Sequence, residues 1–207
     1  MLGRRRSRLY VSFLEVIVNK FGLLLMDYEV AVCSRLPEEA RSIFPRVKKS
    51  LEVARAGGVP IIHVRVAFDE HYTLRTSRSP RFAAIERHRA MLQGSADVEF
   101  IPEARPLPGE PVITKGCVNP FIGTALMELL IGRGIGELYL GGVVTNYVVE
   151  STTRHAADTG FTVNVIEDLC AGFEAEMHDF SMKKILPTFA NICSLGDFEK
   201  RVNAVTT

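Results

Sequence analysis

The stretch "ELYLGGVVTNYVVESTTRHAADTGFTVNVIED", residues 137–168, decides the fold. Its two ends, 137–143 and 161–168, are short apolar or alternating runs of strand character. Between them lie a turn, "GVVTNYVV", and a segment long enough for one helix. Strand, helix and strand in succession make the two strands parallel, because only a crossover returns the chain to the same end of a sheet.

The same signal recurs outward in both directions. Residues 21–27 ("FGLLLMD"), 59–68 ("VPIIHVRVAF"), 111–115 ("PVITK") and 190–198 ("ANICSLGDF") read as further strands. Ile43, Val47, Leu51 and Ala54 repeat at helical spacing before Gly57-Gly58, and Leu126, Leu129 and Leu130 do so before Gly134. Each run is closed by a glycine suited to a helix end. Alternating strands and helices predict an α/β fold of three layers, α/β/α, around a central six-stranded, mainly parallel, Rossmann-like sheet. Residues 69–109 carry no such period and are rich in Arg, Ser and Pro, so a lid or an interface arm is expected there.

A chain of 207 residues is long enough for one domain with its own core. We read 20–207 as that domain. Residues 1–19 form an N-terminal extension whose apolar run contains Glu15 and is too short to span a bilayer. A net charge of +1 with 47% hydrophobic residues excludes a disordered chain and a nucleic-acid binder that works through a concentrated basic surface. The partner expected is a small molecule, with no nucleic acid and no membrane. Cys33, Cys117, Cys170 and Cys193 form no CxxC pair, which points to reduced thiols and a cytoplasmic location.

Ligands of an open parallel sheet bind beyond the carboxyl ends of its strands. Asp27 closes the first strand, Lys115 the third, and the "GVVTNYVV" turn follows the fourth. An acid, a base and a strand-to-helix turn therefore converge on one crevice.

In "LLLMDYEV", "VITKGCVNPFIGTALMELL" and "ELYLGGVVTNYVVESTTRHAADTGFTVNVIEDLCAGFEAEMH" the sequence resembles the isochorismatase-like, or cysteine hydrolase, superfamily. Amidases of that superfamily use a Cys-Asp-Lys triad. The resemblance puts Asp27 and Lys115 on the acid and lysine positions and Val148 on the cysteine position. Valine has no nucleophilic atom, so thioester chemistry cannot start there. The resemblance also places a cis peptide between Val143 and Val144 and turns the Val144 N–H toward the site. Tyr147 is expected at substrate or at a subunit interface, and Phe121 at the pocket wall or in the core. The late Glu176-x-His178 segment matches one that is chiefly structural or at an interface in relatives.

Isochorismatases hydrolyse a vinyl ether without a cysteine nucleophile, so the resemblance implies a hydrolase in which Asp27 is the acid and Lys115 binds a carboxylate or positions water. Isochorismate, giving pyruvate and a dihydrodiol, leads the candidate substrates. Two alternatives stand beside it: a catalytically silent binding protein, and an amidase using activated water or a displaced nucleophile such as Cys117. No cofactor or metal is expected, since Asp69 and His71 find no suitably spaced second histidine before His88. Arg75, Arg78, Arg81 and Arg87 are the cations from which a carboxylate partner could come. Many relatives read D-x-Q where this chain has Asp27-Tyr28-Glu29; an inward Glu29 would raise the pKa of Asp27. A homo-oligomer, dimer or tetramer, is expected from the same resemblance.

Overall fold

The computed structural model describes residues 20–206; the extension predicted at 1–19 lies outside them. Six strands form one parallel sheet in the order β3-β2-β1-β4-β5-β6. The first half of the chain builds outward through β1 (Lys20–Met26), the short α1 (Val30–Cys33), α2 (Phe44–Ala56), β2 (Ile61–Val66), α3 (Pro80–Arg87) and β3 (Val112–Lys115). The chain then returns through α4 (Leu126–Gly132) to β4 (Ile135–Val143) on the other side of β1. It continues through α5 (Glu150–Asp158), β5 (Thr162–Ala171), α6 (Ala175–Phe180), β6 (Asn191–Cys193) and α7 (Leu195–Thr206).

Leu23, Leu24, Leu25 and Met26 are fully buried because β1 is central and both faces of the sheet are covered. Successive side chains alternate between two cores. Phe21, Leu23 and Leu25 join Val47, Leu51 and Ala54 of α2 and Phe198 and Val202 of α7. On the opposite face Leu24 and Met26 meet Leu126 and Leu130 of α4 and Val148, Val149 and Ala156. Gly57 ends α2 where a Cβ would stand 2.1 Å from Val202 Cγ1, so α2 and α7 touch there without a side chain between them.

Two parts differ from the sequence reading. The run 190–198 is a strand only over Asn191–Cys193. Ser194 Oγ accepts the Asp197 N–H at 3.1 Å, and an Asp197 Oδ2 accepts the Ser194 N–H at 3.2 Å, a reciprocal cap that starts α7. The connection 69–109, expected without periodicity, contains α3, whose start is marked by Ser79-Pro80 and whose Phe82 is buried.

The flap carrying α3 is closed at its base. Phe68 N–H donates to Met91 O at 2.9 Å, and Gln93 N–H donates to Phe68 O at 2.8 Å. Inside it Arg75 pairs with Glu86 at 2.7 Å, and Tyr72 Oη donates to Ala90 O at 2.7 Å. Gly116, directly after β3, is the seat of this flap: a Cβ there would lie 1.6 Å from Leu74 O.

Candidate active site

The strand order reverses between β1 and β4, so the crevice opens at the carboxyl ends of these two strands. Asp27 follows β1 with φ 62, a left-handed conformation that turns the chain sharply out of the sheet. Lys115 ends β3, across β2 from Asp27, and its side chain is wholly buried. Its Nζ donates to Asp27 Oδ2 at 2.7 Å and to Val118 O at 2.6 Å. The loop carrying Val118 is fixed in turn: Asn119 Oδ1 accepts the Phe121 N–H, and its Nδ2 donates to Ser151 O.

After β4 a cis peptide joins Val143 to Val144, and Thr145–Val149 form a wide π-helical turn that leads into α5. Val144 and Val148 are buried and Tyr147 is 40% exposed. Thr145 Oγ1 lies 2.7 Å from His178 Nδ1, which ties this turn to α6.

These pieces enclose a cavity of about 40 Å³. Asp27, Lys115, Val144, Tyr147 and Val148 line it together with Cys117 and Arg81. Five of the six residues singled out in the sequence thus meet around one space. Phe121 does not: it is 8% exposed in the lower core, its ring stacked 4.6 Å from His155 at 4°. A flat aromatic partner on α5 holds it away from the cavity wall.

Among the arginines of the flap, Arg81 is the one that lines the cavity. Arg75 is spent on Glu86, and Arg78 and Arg87 are exposed. The Arg81 guanidinium lies 4.9 Å from the Tyr147 ring centroid and 5.9 Å from that of Phe173, and the Arg35 guanidinium lies 4.7 Å from the same Phe173 centroid. Among the described residues neither arginine has a carboxylate within ion-pair distance. Burial and the neighbouring Arg35 charge lower the Arg81 pKa from its ordinary value, yet a guanidinium stays protonated. Phe82, Ile85 and Met91, from the connection 69–109, add apolar surface to the same wall.

Burial raises the pKa of Asp27, with the Lys115 charge and hydrogen bond acting against it and Arg81 adding a smaller pull downward. Glu29 is fully buried, accepts the Val66 N–H at 3.0 Å through Oε1, and is pushed up to about 8 by burial and by the charge of Asp27. Tyr28 turns the other way and donates to Leu169 O. Cys117 donates its thiol hydrogen to Asn119 O at 3.3 Å.

The remaining sequence candidates are accounted for outside the cavity. Asp69 Oδ1 accepts the N–H groups of His71 and Thr73 in a surface turn. His63 is buried against Glu110, which also holds Arg55. Among the described residues no group of three or more His, Cys, Asp or Glu could hold a metal, and no helix is long and apolar enough to cross a membrane. A larger hollow of about 360 Å³, lined by Ile43, Arg46, Asp168 and Ala175, contains neither Asp27 nor Lys115.

A parallel six-stranded sheet, an acid and a lysine paired at its switch point, and a cis-peptide turn opposite them define a hydrolase of the isochorismatase class. The chain belongs to the isochorismatase family, whose domain matches residues 22–197. It is 32% identical over 195 residues to the isochorismatase family protein YecD of Escherichia coli O157:H7, covering 89% of this chain and 97% of that one. To the ureidoacrylate amidohydrolase RutB of Acinetobacter baylyi it is 29% identical over 174 residues, 77% of this chain and 71% of that one. A cysteine hydrolase from Pseudomonas syringae pv. phaseolicola shares the fold with a TM-score of 0.81 at 20% identity, over 89% of this chain and 93% of that one. The N-carbamoylsarcosine amidase of Thermoplasma acidophilum does so at 0.69 and 23%, over 85% and 96%.

Proposed function

We propose that this hydrolase works without a cysteine nucleophile, by acid catalysis from Asp27 on a small carboxylated substrate, with an isochorismate-type vinyl ether the leading candidate. The observation that carries the reading is the juxtaposition in one cavity of a buried acid whose pKa burial raises and an arginine that, among the described residues, makes no ion pair. At the end of β4, where the family resemblance puts a thiol, Val148 presents only methyl groups. Tyr147 and Val144 complete the wall on that side.

In this reaction protonated Asp27 gives its proton to the terminal methylene carbon of the enol ether. The ether oxygen's electron pair then stabilises the cationic carbon bonded to it, water adds to that oxygen-bearing carbon, and the water's proton returns to the Asp27 carboxylate. The hemiketal collapses to pyruvate and the alcohol, for a net addition of one water. Lys115, fixed by Asp27 and Val118 O, holds the acid in place and has one N–H left for a substrate oxygen or the water. Arg81 receives the substrate carboxylate in the fork geometry that guanidinium favours.

A cavity of about 40 Å³ holds water but no such substrate. Pyruvate release from isochorismate, measured for the parent and for Asp27→Ala, tests the reading: release by the parent alone supports it, and release by neither removes this substrate.

A second reading is favoured by one observation. Cys117 lines the same cavity two residues beyond Lys115, and relatives of this chain include amidohydrolases. A displaced-nucleophile amidase would lose turnover of its amide on Cys117→Ala, whereas the acid mechanism is indifferent to that change.

A further inference from the structure

Asp27 is not the sole carboxyl under this cavity. Glu29, two residues on, has no exposed surface at all, and its backbone is pinned on both sides. Its carbonyl accepts the N–H groups of Val32 and Cys33, and it bridges to Phe100. Its side chain folds back to the end of β2, where Oε1 accepts the N–H of Val66, the residue paired in register with Lys115. Among the described residues Oε2 is buried with no hydrogen-bond partner, and so is Asp27 Oδ1.

Charge counting constrains this arrangement. Lys115 is the buried cation beside the two carboxyls, and its bonds go to Asp27 Oδ2 and Val118 O, not to Glu29. One ammonium offsets one carboxylate. A second carboxylate with an unsatisfied, fully buried oxygen would carry the cost of a buried unpaired charge. An uncharged carboxyl avoids that cost while still accepting the Val66 N–H.

We propose that Glu29 is a positioning residue for Asp27 and performs that task as the uncharged acid. The inference rests on Asp27 being the catalytic acid. The titratable groups acting on Glu29 are Asp27 from the same strand end and Lys115 from β3; Arg81 of α3 acts on Asp27, and Glu29 itself acts on the Cys33 thiol of α1, as do Asp27, Glu103 and Arg41. With Glu29 neutral, the Lys115 ammonium is left to Asp27 alone, both while Asp27 rests as the carboxylate and when it has taken up the proton it delivers, and Asp27 stays where the cavity needs it. Ionised Glu29 competes for the same ammonium and repels Asp27. The direction of its pKa, raised by burial first and by Asp27 second, agrees with the neutral form at pH 7.

Two measurements test this. In the turnover assay, Glu29→Ala is expected to lower kcat about a hundredfold, the scale of a misplaced catalytic group, with KM little changed. Glu29→Gln, an uncharged side chain that can still accept the Val66 N–H, is expected to rescue kcat. A Glu29→Gln enzyme no better than Glu29→Ala overturns the proposal. The second measurement needs no substrate: carbon NMR of the parent chain with labelled glutamate carboxyls. One carboxyl should remain protonated through neutral pH. If every glutamate titrates in the ordinary acidic range, Glu29 is not the neutral acid, whatever the substrate proves to be.

Discussion

Lys115→Met keeps most of the buried stem and deletes the charge that faces Asp27. Its cost follows from linkage. Without Lys115, Asp27 is buried at 6% exposure with burial unopposed by its main counter-charge, so the folded state must carry it protonated. The unfolded chain releases that proton near pH 3.9, so holding it at pH 7 costs at most about 4 kcal/mol, from about 1.4 kcal/mol per pH unit. The sign is fixed by proton counting. A raised carboxyl pKa means the folded state binds more protons than the unfolded state above pH ~3.9, so stability falls as pH rises through that window. The excess loss in the variant should therefore grow with pH, from near zero at pH 4 to at most about 2 kcal/mol at pH 5.5 and at most about 4 at pH 7, less the part that the parent's own raised Asp27 pKa already carries. Beneath it lies a pH-independent loss of about 1 kcal/mol, because Val118 O is left without its donor. Urea unfolding of parent and variant at the three pH values measures the difference. A loss that is constant across this range, or that grows on acidification, refutes the reasoning that the Lys115–Asp27 pair is held against desolvation.

Other substitutions separate the remaining roles. Arg81→Ala should raise KM about tenfold to a hundredfold, the worth of one charge-assisted hydrogen bond, with a smaller effect on kcat. Arg81→Lys should recover little, since a lysine lacks the planar fork; steady-state kinetics on the carboxylated substrate decides both. Val148→Cys should fold with a stability change of about 1 kcal/mol, because the two side chains are close in volume. It should add one thiol per chain that iodoacetamide labels faster than Cys117, as read by mass spectrometry; an inert Cys at 148 would mean the position does not face the reactive space. Gly116→Ala should loosen the flap, since its Cβ would meet Leu74 O at 1.6 Å. Limited proteolysis should then cut within residues 69–90 faster than in the parent.

Much of the fold was legible because burial on both faces leaves a plain mark: an unbroken apolar run such as Leu23–Met26 cannot be an exposed strand. Helix α2 was equally plain from Val47, Leu51 and Ala54 and the glycines after them. Helix α3 was not, because eight residues with one buried side chain give too little periodicity, and only Ser79-Pro80 marked its start. The last strand was overextended because the reciprocal Ser194–Asp197 cap looks, in sequence, like a polar break in an apolar run.

The site divides along similar lines. Asp27 and Lys115 could be placed because strand ends define the crevice, and both lie in it. Phe121 is ambiguous in sequence, since an aromatic at that point suits a pocket wall or a core; in the structure it stacks on His155 and is not among the residues lining the cavity. Arg81 was one of four similar arginines, and the turn of α3 that selects it exists only in three dimensions. Glu29 stood out as a departure from D-x-Q, but its inward direction depends on the Val66 N–H, which sequence alone does not reveal.

The most direct test of the central idea follows the proton. With isochorismate in deuterium oxide, acid catalysis by Asp27 predicts early pyruvate carrying one deuterium in its methyl group, resolved by NMR before solvent exchange. Pyruvate formed with an undeuterated methyl group, or deuterated pyruvate released equally fast by Asp27→Ala, would contradict it.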